Sequence, residues 1–271
     1  MLGTDEPIYP DPSPELLAAA AALRAAVSPA RLRTLVDSIP GPRSRLHAPE
    51  AMIAADEVIA DAWTTAGWEV ERQPLHLRGK WGLTDGSGHG RAFKRITRHA
   101  ELNGVNLMAT LPGREADAIV IAAHLDTVFR SPGADDNAAG VVVLMEVARL
   151  LGSEGRRRTV ILAAPDFEEI GLIGSRELVR LLKTRHRVRA AIVFDPIGYM
   201  DARPNTQKLA PGVGLLYSGQ LARLRARGTR FRNGPMIGRS HGSRSITTRS
   251  RPTVAAAHSA QTRTSAVDLR R

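Results

Sequence analysis

The chain has 271 residues, 43% of them hydrophobic, enough for one large core or one core with an appendage. It contains no cysteine, which excludes disulfides, thiolate-ligated zinc and a cysteine nucleophile, and fits a reducing cytoplasm. The net charge of +11 points at first to an anionic partner, but residues 223–271 hold 12 Arg, no Lys and one acid, Asp268. The first 222 residues therefore carry 26 basic and 26 acidic groups and balance, so any argument from charge concerns the tail alone.

The N-terminal stretch MLGTDEPIYPDPSPE is acidic and proline-rich, unlike a secretory signal, and runs such as AAIVF fall far short of a membrane span. A cytoplasmic protein without a membrane partner is expected. Ser13-Pro14-Glu15 carries the signature of a helix start, an N-cap followed by proline and an early acid, and an alanine-rich helix to about residue 26 should follow. A second helix is predicted from about Pro49 to Ala66, with Met52, Ala55, Ile59, Ala62, Trp63 and Ala66 on one stripe and Gly67 closing it. The strand WEVERQPL comes next, and then a polar, glycine-bearing region from about 79 to 104 that reads as a long loop or a hairpin. Its Gly86-Ser87-Gly88-His89-Gly90 is no phosphate loop, because no buried strand feeds it and no helix follows.

Strand and helix then alternate. VNLMATL, AIVIAAH, TVILAAP and RAAIVFD read as strands, the last as a third buried one; AAGVVVLMEVARLLG and GLIGSRELVRLLK read as helices. Short Val/Ile/Ala runs separated by helices imply an α/β fold whose largely parallel sheet is covered on both faces, with ligands at the carboxyl ends of the strands. Beyond about residue 222 no period of 2 or 3.6 persists and Arg, Ser and Thr dominate, so residues 223–271 are expected to be a disordered tail attached to a domain of residues 1–222.

The chemistry gathers at those strand ends. AIVIAAH ends in His124, followed by Asp126 and then Gly133-Ala134-Asp135-Asp136-Asn137 at a helix start; TVILAAP leads into Asp166-Phe167-Glu168-Glu169; RAAIVF ends in Asp195. Each block alone has a plain structural explanation, since DD or EE before a helix is an ordinary cap. Together, successive strands deliver an imidazole and several carboxylates to one sheet edge, where they would repel one another unless cations held them. His47, His76, His99 and His186 lack ligand-like spacing and are expected to be exposed; no G-x-S-x-G marks a serine hydrolase.

AHLDTV, PGADDNAAG, FEEIGLIGS and FDPIGY resemble, in order and spacing, the blocks of the zinc-dependent aminopeptidase family that includes bacterial leucyl aminopeptidases and yeast aminopeptidase Y, over roughly residues 15–222. The resemblance implies a phosphorylase/hydrolase-like three-layer α/β/α fold with a mixed, largely parallel sheet, here incomplete at its C-terminus, and two zinc ions. By motif, His124 and Asp195 would bind one zinc, Asp136 would bridge both and Glu169 would bind the other. Glu168 would be the general base, activating a zinc-bound water against a peptide substrate, and Asp126 would hold the His124 ring through its other nitrogen. The family also supplies a later histidine; only His241 and His258 lie in that part of the chain, and neither context resembles the family's.

Two readings of residues 223–271 stand beside each other: a foreign end, as a frameshift or truncation leaves, or a basic extension for a polyanion. The absence of Lys and the single aromatic, Phe231, argue against nucleic-acid binding. Two functional alternatives to the aminopeptidase also stand: a related metallohydrolase (a carboxypeptidase or a one-metal, glutaminyl cyclase-like enzyme), or an impaired family member with a partial metal site.

Overall fold

A computed structural model describes residues 12–84, 95–152, 156–198, 207–209, 219, 221–222 and 231–233. Helix α1 (Pro14–Ala25) begins as its sequence requires, with the Ser13 Oγ accepting from the Leu16 N–H at 3.3 Å, and it buries no residue. Helix α2 (Pro29–Ser38), which the sequence reading passed over, starts the same way on Ser28. Its apolar side chains Leu32, Leu35 and Val36 rest half-buried against the main core. Helix α3 (Pro49–Thr65) buries the expected stripe: Met52, Ala55, Ile59 and Trp63 are inaccessible to solvent, and Gly67 follows with a φ of +85°.

The region between 79 and 104 proves to be part of a long hairpin. Strands β1 (Glu69–Leu83) and β2 (Ile96–Leu111) pair antiparallel from Glu69↔Thr110 to Leu83↔Ile96. Leu75, Leu77, Trp81 and Leu83 alternate with polar residues or glycine along β1, but of these only Leu75 is buried, and the two glycines between them weaken the strand pattern in the sequence. The glycine-rich residues 86–90 lie outside the described residues.

Strand β3 (Gly113–Ala122), helix α4 (Gly140–Leu151), strand β4 (Arg156–Ala164), helix α5 (Ile173–Arg185) and strand β5 (Arg187–Val193) complete a five-stranded sheet in the order β1-β2-β4-β3-β5. β1/β2 and β2/β4 are antiparallel, β3/β4 and β3/β5 parallel, so the sheet is mixed, as expected, with its parallel part on the β4-β3-β5 side. Because strand side chains alternate between faces, Leu107, Ala109, Val160 and Leu162 pack with α3 and α4, while Met108, Ile161 and Ala163 pack with Leu178 and Leu182 of α5. Burial on both faces is what the unbroken apolar runs encode. The result is the anticipated three-layer α/β/α arrangement. No helix among the described residues is long and apolar enough to cross a membrane.

β5 corrects the expectation of a third buried strand. Among the described residues it has one ladder neighbour, β3, and every one of its seven residues is exposed or half-buried. An apolar run buries itself only where both faces and both edges are covered. Here a cavity of ≈ 240 Å³, lined by Val120, Leu178, Leu182, Val188 and Ala191, remains between α5 and the β3–β5 margin. Of the expected tail, all but Phe231–Asn233 lies outside the described residues; those three form a short strand, β7, parallel to β6 (Gln207–Leu209), rather than the expected disordered chain. His241 and His258 also lie outside.

Candidate metal centre

β3 lies between β4 and β5, and the connections leaving it and β4 carry α4 and α5 to opposite faces of the sheet. In open α/β sheets the carboxyl end of such a strand opens into a crevice. The chain leaving β3 stays fastened to its neighbour, Ala123 N–H to Ala163 O and Leu125 N–H to Pro165 O, both at 3.1 Å. This places His124, 4% exposed, at the floor of the crevice.

Two carboxylates converge on the His124 ring. Its Nε2 lies 3.0 Å from Asp136 Oδ1 and 3.5 Å from Asp195 Oδ1. Ligand atoms of His124, Asp136 and Asp195 fall within 4.8 Å of one another, the only such group of three or more potential ligands among the described residues. Asn137 joins the elements that deliver the two acids: its Nδ2 donates to Phe194 O at 2.8 Å, and its Oδ1 accepts from Gly140 N at 3.2 Å. Gly133, with φ +60°, makes the turn before them, where a Cβ would stand 2.2 Å from Thr127 Cγ2.

Asp126 meets the other nitrogen of the His124 ring, but through its main chain. The His124 Nδ1 contacts the Asp126 backbone carbonyl oxygen at 3.0 Å, while the nearer carboxylate oxygen is 3.6 Å away. The carboxylate instead accepts the backbone N–H groups of Glu168 at 3.0 Å and Glu169 at 3.1 Å. One residue thus fixes the imidazole through its main chain and the two glutamates through its side chain. Glu169 is buried at 6% but lies outside the three-residue group; Glu168, half-buried, borders the apolar cavity beside His124 and Asp195. Directly before them Phe167 holds a φ of +55°, a strained conformation of the kind that clusters at functional loops.

The electrostatics fit a cation. Burial opposes charge on His124, yet the neighbouring carboxylates of Asp126, Asp136 and Asp195 push its pKa up to about 12. Burial raises Glu168 to about 7, with the positive charge of His124 opposing and Glu169, Asp126 and Asp195 reinforcing. A proton and a divalent metal are alternative ways to neutralise the same carboxylates, and metal binding at such a site releases the proton. One imidazole and two carboxylates, with Asp136 and Asp195 side chains 52% and 40% exposed and open to further ligands, match the nitrogen–oxygen donor set of catalytic zinc.

Sequence reasoning missed the groups beneath this site. Arg43 is fully buried, and its guanidinium donates to the carbonyls of Leu125 (2.7 Å), Gly133 (2.9 Å), Pro40 and Pro132 (both 3.2 Å). Asp166, also fully buried, accepts from Arg45 Nε at 2.9 Å and from the Phe167 N–H at 2.8 Å, and Arg45 also pairs with Asp56. Asn106 Oδ1 accepts from the Asp166 N–H at 2.9 Å. No local pattern announces Arg43 or Arg45, whose partners lie mostly 80 or more residues away; Asn137 sat inside the recognised ADDN block without an assigned task. Of the remaining histidines, His47 and His76 are exposed as expected, but His99 and His186 are half-buried, His99 Nε2 standing 3.1 Å from Leu83 O.

Residues 106–225 match Peptidase family M28. Over that stretch the chain is similar to the family. The chain is 31% identical over 103 residues to aminopeptidase YwaD of Bacillus subtilis, a match covering 38% of this chain and 23% of the relative. The chain thus spans well under half the length of this curated relative. Among solved structures, a Fimbriiglobus ruber glutaminyl cyclase superposes with TM-score 0.53 at 17% identity, covering 77% of this chain and 76% of that one. BSAP, a zinc aminopeptidase from Bacillus subtilis, superposes with TM-score 0.51 at 15% identity, covering 76% and 78%. Both likenesses are of fold, over about three quarters of this chain.

Proposed function

We propose that the chain is a metal-dependent exopeptidase that removes N-terminal residues from peptides, with His124, Asp136 and Asp195 at one zinc, and Asp136 and Glu169 at a second. The observation that carries this reading is the convergence of one imidazole and two carboxylates within 4.8 Å at the end of β3. Bound zinc supplies Lewis-acid polarisation of a carbonyl and acidifies water toward a pKa of about 7.

The protein's own groups divide the remaining work. Asp136 and Asp195 hold negative charge against the His124 ring, and Asn137 keeps the turn and the β5 end in register. Glu168, with its pKa raised to about 7, is poised to take a proton from an attacking water and return it to the departing amine near neutral pH. Asp126 aims that glutamate by accepting its backbone N–H. The excess of carboxylates at this edge also suits a protonated peptide N-terminus. Metal analysis of the purified chain and release of N-terminal residues from a peptide panel test the reading. Glu168→Gln should keep the metal and lose roughly 10²–10⁴-fold in kcat; undiminished turnover by that variant would exclude Glu168 as the base.

A further inference from the structure

The β1–β2 ribbon and the Glu168–Glu169 loop enclose a concave surface distinct from the apolar cavity under α5. Its volume is ≈ 430 Å³, and its lining includes Trp81, Ile96, Glu168, Glu169, Leu172 and Arg176. That volume lies within the range of about 300–1,000 Å³ typical of small-ligand sites. The walls are fixed to each other. Leu83 N–H donates to Ile170 O at 2.7 Å, a Cβ on Gly82 would stand 2.4 Å from that same oxygen, and Leu75 and Leu102 of the ribbon pack with Phe167, Ile170 and Ile173.

The lining is chemically asymmetric, with two acids contributed by one element and a cation by another. The neighbouring cations are already engaged: Lys80 Nζ lies 3.0 Å and Arg180 Nη1 2.5 Å from the same Glu177 oxygen. Arg176 has no ion pair among the described residues. It sits in the first turn of α5, which contains no acid, where the helix dipole disfavours a positive charge. Around it Trp81, Ile96 and Leu172 stay 65%, 76% and 48% exposed, an apolar rim kept in water at the mouth of a charged cavity.

We infer that Arg176 anchors the carboxylate of a short peptide whose amino end lies toward Glu168 and Glu169, with Trp81 and Leu172 flanking the chain between them. The inference rests on the exopeptidase reading of the site and narrows its substrate class to short peptides bearing a carboxylate beyond the scissile bond. A planar guanidinium binds a carboxylate through two parallel hydrogen bonds, and an amide in its place loses the charge.

Trp81 supplies a readout independent of turnover, because the other two tryptophans, Trp63 and Trp68, are buried. The metal-loaded chain is titrated, following tryptophan emission, with a tripeptide whose first peptide bond is a non-cleavable methylene-amine. The free acid, the C-terminal amide, and an amide with glutamate in third position are compared. The free acid should bind roughly tenfold or more tightly than the amide, as a charge-assisted pair requires. Arg176→Met should erase the difference, whereas Arg180→Met, on the same helix, should leave it. Tight binding of the glutamate-bearing amide, lost in Arg176→Met, supports the anchor and assigns the carboxylate to an acidic side chain. Equal binding of all three peptides, no binding, or a preference surviving Arg176→Met overturns the inference. Carboxylate-dependent binding without peptide hydrolysis would uphold the anchor and sink the exopeptidase reading instead.

Discussion

Replacing Arg43 by methionine tests how the metal-bearing loop is supported. The guanidinium serves four carbonyls, of which those of Leu125 and Gly133 are reached by fully buried bonds and those of Pro40 and Pro132 by partly buried ones. Methionine fills much of the space but donates nothing. The two partly buried carbonyls can turn to water; the other two are stranded at about 1–3 kcal/mol each. Against this, burial disfavours the arginine charge, lowering its pKa to about 10 despite Asp126 and Asp136, and methionine removes that cost. The net expectation is a loss of about 3 kcal/mol, in the upper range for single substitutions. At about 2–4 °C per kcal/mol, the melting temperature should fall by about 6–12 °C. Thermal unfolding followed by circular dichroism, with the urea midpoint as a second measure, reads this directly. Arg43→Lys should fall between, since three donors on one nitrogen cannot span the four carbonyls. A methionine variant melting within about 2 °C of the parent would refute the claim that these hydrogen bonds organise residues 125–133.

Asp126→Asn should weaken metal affinity or activity by roughly 10–100-fold, as the loss of an outer hydrogen-bond partner does, because an amide NH₂ would face one of the Glu168 and Glu169 N–H groups that the carboxylate now accepts. Isothermal titration with zinc and steady-state kinetics check it, and wild-type values in both would show that the glutamate loop holds itself. In the metal-free chain, Glu168 has a folded pKa of about 7 against 4.5 when free, so the folded state binds its proton more tightly. Its contribution to stability is therefore full below pH 4.5 and lost as pH rises through 7. Glu168→Gln should flatten the fall in urea midpoint across that window; an unchanged slope would contradict the assignment.

The sequence by itself determined the elements whose burial has a simple period and the residues that share a local block. The stripe of α3 and the two-sided apolar runs of β3 and β4 are read from spacing, because burial imposes a repeat on the chain. His124, Asp136 and Asp195 were legible for a related reason: each ends or follows a strand of the parallel half, and a parallel sheet brings such ends to one edge. Asp126 was recognised as a participant but not in its actual contacts, since backbone N–H groups leave no mark in the sequence.

Only the tertiary structure decided the rest. Which apolar residues of the outer β1–β2 ribbon are buried depends on the distant Phe167, Ile170 and Ile173 that pack on them, and β5 is exposed or half-buried along its length because coverage depends on neighbours that its own residues do not specify. Arg43 reaches Leu125 and Gly133 across more than 80 residues, and Arg45 reaches Asp166 across 121. A buried arginine serving carbonyls of a distant loop is, in sequence, indistinguishable from one in water: the energy that selects it comes from desolvation, which exists only once the chain has closed around it.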